Sequence, residues 1–312
     1  MDFAVIEAFV AVVQFGGFTR AADALHLSQP ALSRRIGLLE SDLGQPLFER
    51  AKKGARLTDA GRAFLPHAQG ALAKVRDGAA AVHALAQGDG GRLTVAIVGT
   101  LASTELTARL RRFREDHRRL QVLLRTGNSA EVSGLVRRGE AVLGLRYFAD
   151  PASDLVSRAL YREPLVVVAA AGHPLAKTRR ITAERLRDEP WVAFPARRGA
   201  AVDPFGQLVT RSLAGAGLDD SAVVVIDSLT AQKRLVEAGF GLAMVPESSV
   251  REELALETLQ TLDVPALRAA IEVVLIHRKG AFLSPPTERL LAVLGTPGEP
   301  NRARRPRRAP RH

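Results

Sequence analysis

Residues 25–40, LHLSQPALSRRIGLLE, decide the fold of the N-terminal part of this chain. Ser28 is a preferred N-cap residue, and Pro30 is tolerated because the amides of a first helical turn have no intrahelical partner. The stretch therefore predicts a tight turn at 25–27 and a new helix after Ser28. Its buried stripe is marked by Leu32, Ile36, Leu39 and Leu43. This is the pattern of a helix-turn-helix, whose second helix directs its N-terminal residues outward.

The flanking segments extend this motif. Apolar residues at helical spacing predict a helix over residues 3–16 that ends at Gly16-Gly17, and Thr19 is expected to cap the short helix that follows. Beyond the second helix, QPLFERAKKGARLT (45–58) places two short apolar pieces around a basic, glycine-containing turn. We expect these pieces to form a two-stranded wing.

A long alanine-rich helix is predicted between Thr58 and Gly88. Its apolar positions follow a heptad repeat that is typical of a coiled-coil seam: Leu65, Ala68, Leu72, Val75, Ala79, Val82 and Ala86. Such a helix would be ~40 Å long, with a bend or weak first turns at Pro66. The alternative is an amphipathic helix that packs on its own chain. GDGG (88–91) predicts a flexible hinge.

Residues 92–296 alternate short apolar runs with helical segments, which predicts an α/β fold with largely parallel strands in two halves. The arginine-rich residues 297–312 are expected to be disordered. The predicted domains are residues 1–60, a long helix with a hinge at 61–90, and an α/β domain at 91–296.

Composition excludes several classes of protein. The chain has 312 residues, 46% of them hydrophobic and 25% charged, and it has no cysteine, so disulfides and thiolate metal sites are excluded. No apolar run approaches the ~20 residues of a membrane helix, and the N-terminus lacks the basic start of a signal peptide, which favours a cytoplasmic protein. Scattered histidines and the absence of a nucleophile motif predict no metal, no cofactor and no enzymatic activity.

The net charge of +11 is unevenly distributed. Residues 1–60 contain seven basic and seven acidic residues, whereas residues 297–312 contain six arginines and one glutamate. A polyanionic partner must therefore be argued from local placement rather than from the total charge. The tail has two alternative interpretations, as a source of nonspecific DNA affinity or as an inert extension.

FTRAADALHLSQPALSRRIGLLESDLGQPLFER, followed by RLTDAGRAF, resembles the N-terminal domain of LysR-type transcriptional regulators almost position for position. Later segments such as GEAVLGL and SLTAQKRLVEAGFGLAMVPES resemble the effector domain of the same family. The resemblance implies a multidomain fold: an all-α winged helix-turn-helix domain, a long linker helix, and a two-lobed α/β effector domain like that of periplasmic binding proteins. It makes residues 61–90 the linker and dimerisation helix with its hinge, and residues 91–296 the effector-binding domain. Lobe one of that domain would be 91–162 and 269–296, and lobe two 163–268.

The resemblance also implies which residues contact DNA. The helix after Ser28 would enter the major groove, with base- and phosphate-facing side chains from Gln29, Pro30, Ser33 and Arg34. Arginine pairs with guanine, glutamine pairs with adenine, and a proline ring contacts a thymine methyl group. Phosphate contacts are expected from Thr19, Arg20, Arg35, Arg50, Lys52, Lys53 and Arg56.

In the effector domain, the family pattern points to a cleft that binds a small, anionic molecule. We expect it to be contacted by Thr100, Ser103, Ser129, Arg146, Phe194, Pro195, Arg197, Asp227 and Ser228, with Arg198 as a further candidate cation. The alternative for the hydroxyl side chains, Thr100, Ser103, Ser129 and Ser228, is a helix N-cap role, and for the arginines a solvated surface position.

The sequence thus predicts a dimeric or tetrameric regulator that binds a double-stranded operator and, if it activates transcription, contacts RNA polymerase. Dimerisation is expected because one winged domain covers too few base pairs for useful specificity. The alternative is a cytoplasmic, small-molecule-binding α/β protein that uses its N-terminal helices for oligomerisation only.

Overall fold

The computed structural model describes residues 2–49, 55–87, 90–102, 104–198 and 201–295. The helices are α1 (Phe3–Phe15), α2 (Phe18–Ala24), α3 (Gln29–Leu43), α4 (Asp59–Gln87), α5 (Thr104–Asp116), α6 (Ser129–Arg137), α7 (Pro204–Gly215), α8 (Leu229–Glu237), α9 (Arg251–Ala255) and α10 (Pro285–Gly295). The strands are β1 (Gly91–Val98), β2 (Leu120–Gly127), β3 (Leu143–Tyr147), β4 (Leu155–Ala170), β5 (Trp191–Ala193), β6 (Arg197–Arg198), β7 (Ala201–Val202), β8 (Val223–Val225), β9 (Ala243–Pro246), β10 (Leu259–Leu262) and β11 (Ala269–Arg278).

The first three helices form a helix-turn-helix domain. Gly16 ends α1 in the left-handed conformation, with φ of 66°, and Ser28 caps α3 by accepting a hydrogen bond of 3.3 Å from the Ala31 amide. The predicted cap at Thr19 is wrong, because the N-cap position is Gly17 and α2 begins at Phe18, so Thr19 lies inside the helix. The hydroxyl of Thr19 instead lies 3.5 Å from the side-chain oxygen of Gln29 at the start of α3.

The wing is reduced to one antiparallel bridge, between Phe48 and Leu57, within the described part of the chain. The Glu49 amide donates to the Arg56 carbonyl at 2.8 Å, and the Glu40 carboxylate on α3 accepts the Leu47 amide at 2.7 Å. Glu40 therefore fixes the wing to the second helix of the motif. The basic turn at 50–54 lies outside the described residues.

Helix α4 is continuous through Pro66, and the Thr58 hydroxyl accepts the Gly61 amide at 3.0 Å as its N-cap. The heptad positions divide into two groups. Leu65, Ala68 and Leu72 pack against the core of the N-terminal domain. Further along, Val75 and Val82 are 53% and 66% exposed. The first half of the predicted seam is thus used within its own chain. The Ala86 side chain lies outside the described residues.

One mixed sheet forms the framework of the α/β domain, in the order β10-β4-β11-β3-β1-β2, with β9 also paired to β4. Strand β1 pairs in parallel with β2 and β3, whereas β11 and β4 pair antiparallel with all their neighbours. The expectation of largely parallel strands is therefore wrong for this sheet. Apolar alternation predicts that a strand is buried but does not reveal the direction of its neighbour.

Strand β4 joins the two lobes, because its first half pairs with β11 and its second half with β9 and β10. The boundary expected at residue 163 lies inside this strand. Lobe two adds the parallel pair β5–β8 and the small antiparallel pair β6–β7. The carboxyl ends of β1, β2, β3 and β5 and the first turns of α6, α7 and α8 lie at the boundary between the lobes.

Among the described helices, none is by itself long and apolar enough to cross a membrane. Helices α1 and α2 pass the length and composition test only together, and they are bent by 119° at their break.

Two glycines of α4 provide a matched test of the packing between this helix and the wing. A Cβ added at Gly61 would lie 2.2 Å from the Leu47 carbonyl oxygen, whereas one added at Gly70 would meet nothing within 4 Å. We expect Gly61→Ala to destabilise the N-terminal domain by about 1–3 kcal/mol through overpacking. Gly70→Ala should stabilise helix α4 by about 0.5–1 kcal/mol. Calorimetric unfolding of both variants checks this, and equal effects would contradict the close approach at Gly61.

Candidate functional site

The first functional surface is the outer face of α3. Leu32 and Ile36 are 0% and 3% exposed, which fixes the rotation of this helix. On the opposite face, the first two turns expose the polar side chains predicted from the sequence: Gln29, Pro30, Ser33 and Arg34. A helix of ~10–12 Å diameter with such a face fits a major groove ~12 Å wide.

Side chains from α2 and the wing lie beside this face. Thr19 and Arg20 are exposed on α2, and the Arg20 guanidinium donates to the Gly16 carbonyl at 3.2 Å. Arg35 is half-buried. The Arg56 side chain is 76% exposed and lies 3.5 Å from the carboxylate of Glu49. The predicted phosphate contacts Arg50, Lys52 and Lys53 lie outside the described residues.

The second candidate site is a cleft of about 500 Å³ between the two lobes. Lobe one lines it with Thr100, Asn128, Ser129, Glu131 and Tyr147, and lobe two with Phe194, Asp203, Phe205, Asp227, Ser228, Thr230, Lys233, Ser248 and Glu252, among others. Strand ends and first helical turns surround this space, which is where ligands bind in open α/β sheets.

Aromatic rings form the apolar wall of the cleft and connect the lobes. Tyr147 of lobe one stacks on Phe205 of lobe two with ring centroids 5.8 Å apart, and Phe194 meets Phe205 edge-on at 5.4 Å. The Tyr147 hydroxyl is 2.7 Å from the Thr100 hydroxyl. Burial raises the pKa of Tyr147 far above its ordinary value, and this outweighs the hydrogen bond with Thr100, so the phenol remains neutral.

Polar groups around these rings are used mainly as helix caps. The Asn128 side chain accepts the Ala130 and Glu131 amides at 3.0 Å each, while Glu131 accepts the Asn128 amide at 2.8 Å, which completes a capping box on α6. The Asp203 side chain caps α7 by accepting the Phe205 and Gly206 amides, and Ser228 caps α8 by accepting the Ala231 amide.

One ammonium group reaches this space from α8. Lys233 lies 2.5 Å from the Glu253 carboxylate and 3.1 Å from the Ser249 carbonyl, which holds its charge at one wall.

The structure brings together five of the nine residues that the sequence suggested for this site: Thr100, Ser129, Phe194, Asp227 and Ser228. Pro195 and Arg197 are not among the residues that line it, and Ser103 lies outside the described residues, as does the side chain of Arg198. Of the three described hydroxyl residues predicted for the cleft, Thr100, Ser129 and Ser228, only Ser228 is a helix N-cap. Asn128, not Ser129, caps α6, and Thr100 lies within a 3₁₀ turn.

Arg146 requires a correction, because it does not reach the cleft. Its guanidinium is buried and donates to the Ser133 hydroxyl at 2.7 Å and to the carboxylate of Asp150. Burial alone would raise the pKa of Asp150, but hydrogen bonds from Ser133 and the Ala152 amide, with the charges of Arg137 and Arg146, lower it below its ordinary value. Arg146 is thus part of a buried ion-pair network in lobe one.

The sequence analysis missed Tyr147, Phe205 and Asn128. Arg146 and Tyr147 are adjacent in β3, where successive side chains point to opposite faces, so choosing the arginine selected the wrong face. The box Asn128-Ser-Ala-Glu131 was a readable signal for the α6 cap. Phe205 follows the cap Asp203, but nothing local indicated that its ring would meet Tyr147. Within the described ranges, no group of three His, Cys, Asp or Glu side chains could hold a metal ion.

Comparison with known proteins matches both parts of the chain to one family. Residues 3–62 match the model of bacterial regulatory helix-turn-helix proteins of the lysR family, and residues 86–296 match the LysR substrate binding domain. The chain is 30% identical to the HTH-type transcriptional regulator TfdS of Cupriavidus pinatubonensis, over 88% of this chain and 97% of that protein. It is 28% identical to the regulator CitR of Bacillus subtilis, over 82% of this chain and 86% of that protein.

Solved structures share the architecture. The crystal structure of CbnR, a LysR family transcriptional regulator, aligns with a TM-score of 0.60 at 26% identity, over 94% of this chain and 98% of that one. CbnR in complex with its target DNA aligns with a TM-score of 0.58, also at 26% identity, over 94% of this chain and 99% of that chain. Full-length OxyR from Pseudomonas aeruginosa aligns with a TM-score of 0.64 at 23% identity, over 95% and 93%, which supports the fold.

A structural role for Arg146 in the buried ion pair and a role in effector binding predict different stabilities for the Arg146→Ala variant. Removing one partner of a buried ion pair should cost about 3–5 kcal/mol of stability, whereas Arg111→Ala on the exposed face of α5 should change it by less than about 0.5 kcal/mol. Because the folded-state pKa of Asp150 is lowered, its pairing stabilises the fold above the ordinary pKa of ~3.9 and is lost as the pH falls. The difference between variant and wild type should therefore shrink in acid. Urea unfolding at two pH values measures this, and an unchanged stability would contradict a structural role.

Proposed function

The chain belongs to the LysR family of DNA-binding transcriptional regulators, and from this premise we propose that α3 recognises an operator sequence while the cleft binds a small effector that changes this recognition. The observation that carries the proposal is the Ser28-capped start of α3, which exposes Gln29, Pro30, Ser33 and Arg34 opposite a buried stripe. The protein acts as a regulator rather than an enzyme, in the cytoplasm where its DNA target is located.

Direct recognition of bases is assigned to the first two turns of α3. The Arg34 guanidinium can donate two hydrogen bonds to guanine, and the Gln29 amide can pair with adenine. The side chain of Gln29 lies 3.5 Å from the Thr19 hydroxyl, which positions it from α2. Phosphates would be contacted by Thr19, Arg20, Arg35 and Arg56 and by the wing residues Arg50, Lys52 and Lys53, and such contacts place the helix in register without reading sequence.

Two subunits are needed for the operator to be read as a dyad. The exposed apolar residues of α4 support a dimer through this helix, since Val75, Val82 and Leu85 are 53%, 66% and 89% exposed. A second linker helix packed against them would remove this apolar surface from water. Assembly of two dimers into a tetramer, and contact with RNA polymerase in the case of an activator, extend the same proposal.

The effector is proposed to be a small anionic molecule with an apolar body. Backbone amides at the first turn of α8 and the Thr230 hydroxyl favour negative charge at one end, beside Lys233, whose ammonium is paired with Glu253. Phe194 and Phe205 offer an apolar wall for the remainder. Thr100, Ser129 and Asp227 would orient the polar atoms. Because the cleft lies between two lobes, a ligand that contacts both favours one lobe arrangement over another, which is a population shift.

Base reading and phosphate contact predict different results for two arginines. With an operator selected from a random duplex pool by the full chain, Arg34→Ala should cost about 1–3 kcal/mol and relax the preference at one base position. Arg56→Ala should weaken all sequences alike and reduce the salt slope by about one unit. Fluorescence anisotropy at several salt concentrations measures both, with Arg111→Ala on lobe one as the control.

If the wild-type chain shows no sequence preference, the regulator proposal fails and its N-terminal helices serve for oligomerisation only. Equal and sequence-independent losses in both variants would mean that α3 presents a different reading face.

Ligand binding in the cleft can be tested with a pair of glycines. Gly99 lines the cleft and Gly172 does not, and a Cβ added at either position would meet nothing within 4 Å. A thermal-shift screen of small carboxylates, amines and neutral compounds on the full chain should give carboxylate hits, because binding to the folded state stabilises it. Gly99→Phe should abolish the shift and Gly172→Phe should retain it. Hits restricted to amines would contradict the anionic effector.

A further inference from the structure

Helix α6 contacts two functional parts of the molecule with its two ends. Its first turn, with Ser129, Glu131 and the cap Asn128, lines the cleft. Beyond its last turn, the carbonyl of Arg138 accepts a hydrogen bond from the guanidinium of Arg76, which belongs to the linker helix α4. The nine-residue helix therefore extends from the cleft to the linker contact.

The contact at the far end of α6 is too close for a side chain. Gly139 follows the helix with φ of +67°, and a Cβ at this position would lie 3.3 Å from both the Cα and the Cβ of Ala73 on α4. Ala73 is completely buried, although it is not one of the heptad positions. The backbone after α6 and the backbone of α4 thus pack directly against each other.

A buried ion pair fixes the linker helix beside this contact. Asp77 of α4 accepts two hydrogen bonds from the Arg278 guanidinium, at 2.5 and 3.0 Å, and the two side chains are 13% and 10% exposed. Lys74 donates to the Gly280 carbonyl one turn earlier. Breaking a pair of this kind is costly, because the remaining charge stays buried without its partner. These contacts define a latch: Ala73, Lys74, Arg76 and Asp77 against Arg138, Gly139, Arg278 and Gly280.

Helix α6 is held as one unit between these ends. Val132 and Val136 are fully buried against the sheet, and a Cβ at Gly144 of β3 would come within 2.9 Å of both side chains. Its N-terminal stability comes from the capping box of Asn128 and Glu131, whose groups are also accessible to a ligand in the cleft. A ligand that bonds to these groups changes the stability of the helix, and two contacts of the latch, at Arg138 and Gly139, lie directly after its last turn.

We propose that α6 couples the cleft to the linker helix: occupancy at its first turn alters how firmly the latch holds α4. The coupling arises because a change in local stability at one end of this short helix also affects its other end. It deepens the proposed function, on which its regulatory meaning rests, but the physical link between the two ends can be measured without an effector or DNA.

Hydrogen exchange of the full chain, followed by mass spectrometry, tests this link with two cap variants. Asn128→Ala removes the cap of α6 in lobe one, and Ser228→Ala removes the cap of α8 in lobe two, across the same cleft. We expect Asn128→Ala to accelerate exchange in α6 and in residues 73–84 of α4 by about fivefold, the effect of losing one cap. Ser228→Ala should leave α4 unchanged. In the reverse direction, Asp77→Asn should accelerate exchange in α6 as well as in α4.

Unchanged exchange in α4 of the Asn128→Ala variant overturns the proposal, whether or not α6 itself responds. An equal acceleration in Ser228→Ala also overturns it, because the effect would then be general loosening. If Asn128→Ala does not fold, Gly139→Ala replaces it, since its methyl group would press on Ala73. Its control is Gly217→Ala, which has the same positive φ, +71°, and no neighbour within 4 Å. If the wild-type chain binds DNA without sequence preference, the proposed function fails. The exchange comparison still tests the link between α6 and α4 in that case.

Discussion

Burial of one apolar stripe on α3 determines what the N-terminal domain exposes. Leu32, Ile36 and Leu39 are at most 3% exposed, and a helix has only one rotation that buries all three. The Ser28 cap fixes where the helix begins, and Glu40 ties its far half to the wing. With rotation and start both set, Gln29, Ser33 and Arg34 must point outward. The surface proposed to face DNA is therefore a consequence of the core rather than a separate feature.

The ligand site depends on a different constraint, which is that strand β4 belongs to both lobes. It pairs with β11 in one half and with β9 and β10 in the other, so the lobes share one sheet while their outer helices remain separate. The cleft lies where these helices diverge, and only the aromatic contact between Tyr147 and Phe205 was found to span it among the described ring pairs. A shared strand with separate helices is an arrangement in which lobes can move relative to each other without breaking the core.

Helix α4 serves three surfaces in turn. Its first turns complete the core of the N-terminal domain, its middle is latched to lobe one through Asp77 and Arg278, and Val82 and Leu85 remain exposed. A heptad count alone suggested one continuous seam. The helix instead divides its apolar residues between its own chain and the proposed dimer contact, so a shift of α4 on lobe one necessarily moves the domain attached to its start.

Local chemistry in the sequence determined the elements whose signals are contained within one helix or turn. The Gly16 end of α1, the Ser28 cap, the stripe of α3 and the length of α4 follow from spacing and capping, and the match to the LysR family follows from the same residues. Tertiary structure alone decided the features that require distant residues to meet. Strand direction depended on which strands became neighbours, and the choice between Arg146 and Tyr147 depended on which face of β3 met the cleft. The latch of Asp77 and Arg278, 201 residues apart, has no local signal, because burial and ion pairing are set by the neighbours that folding brings together.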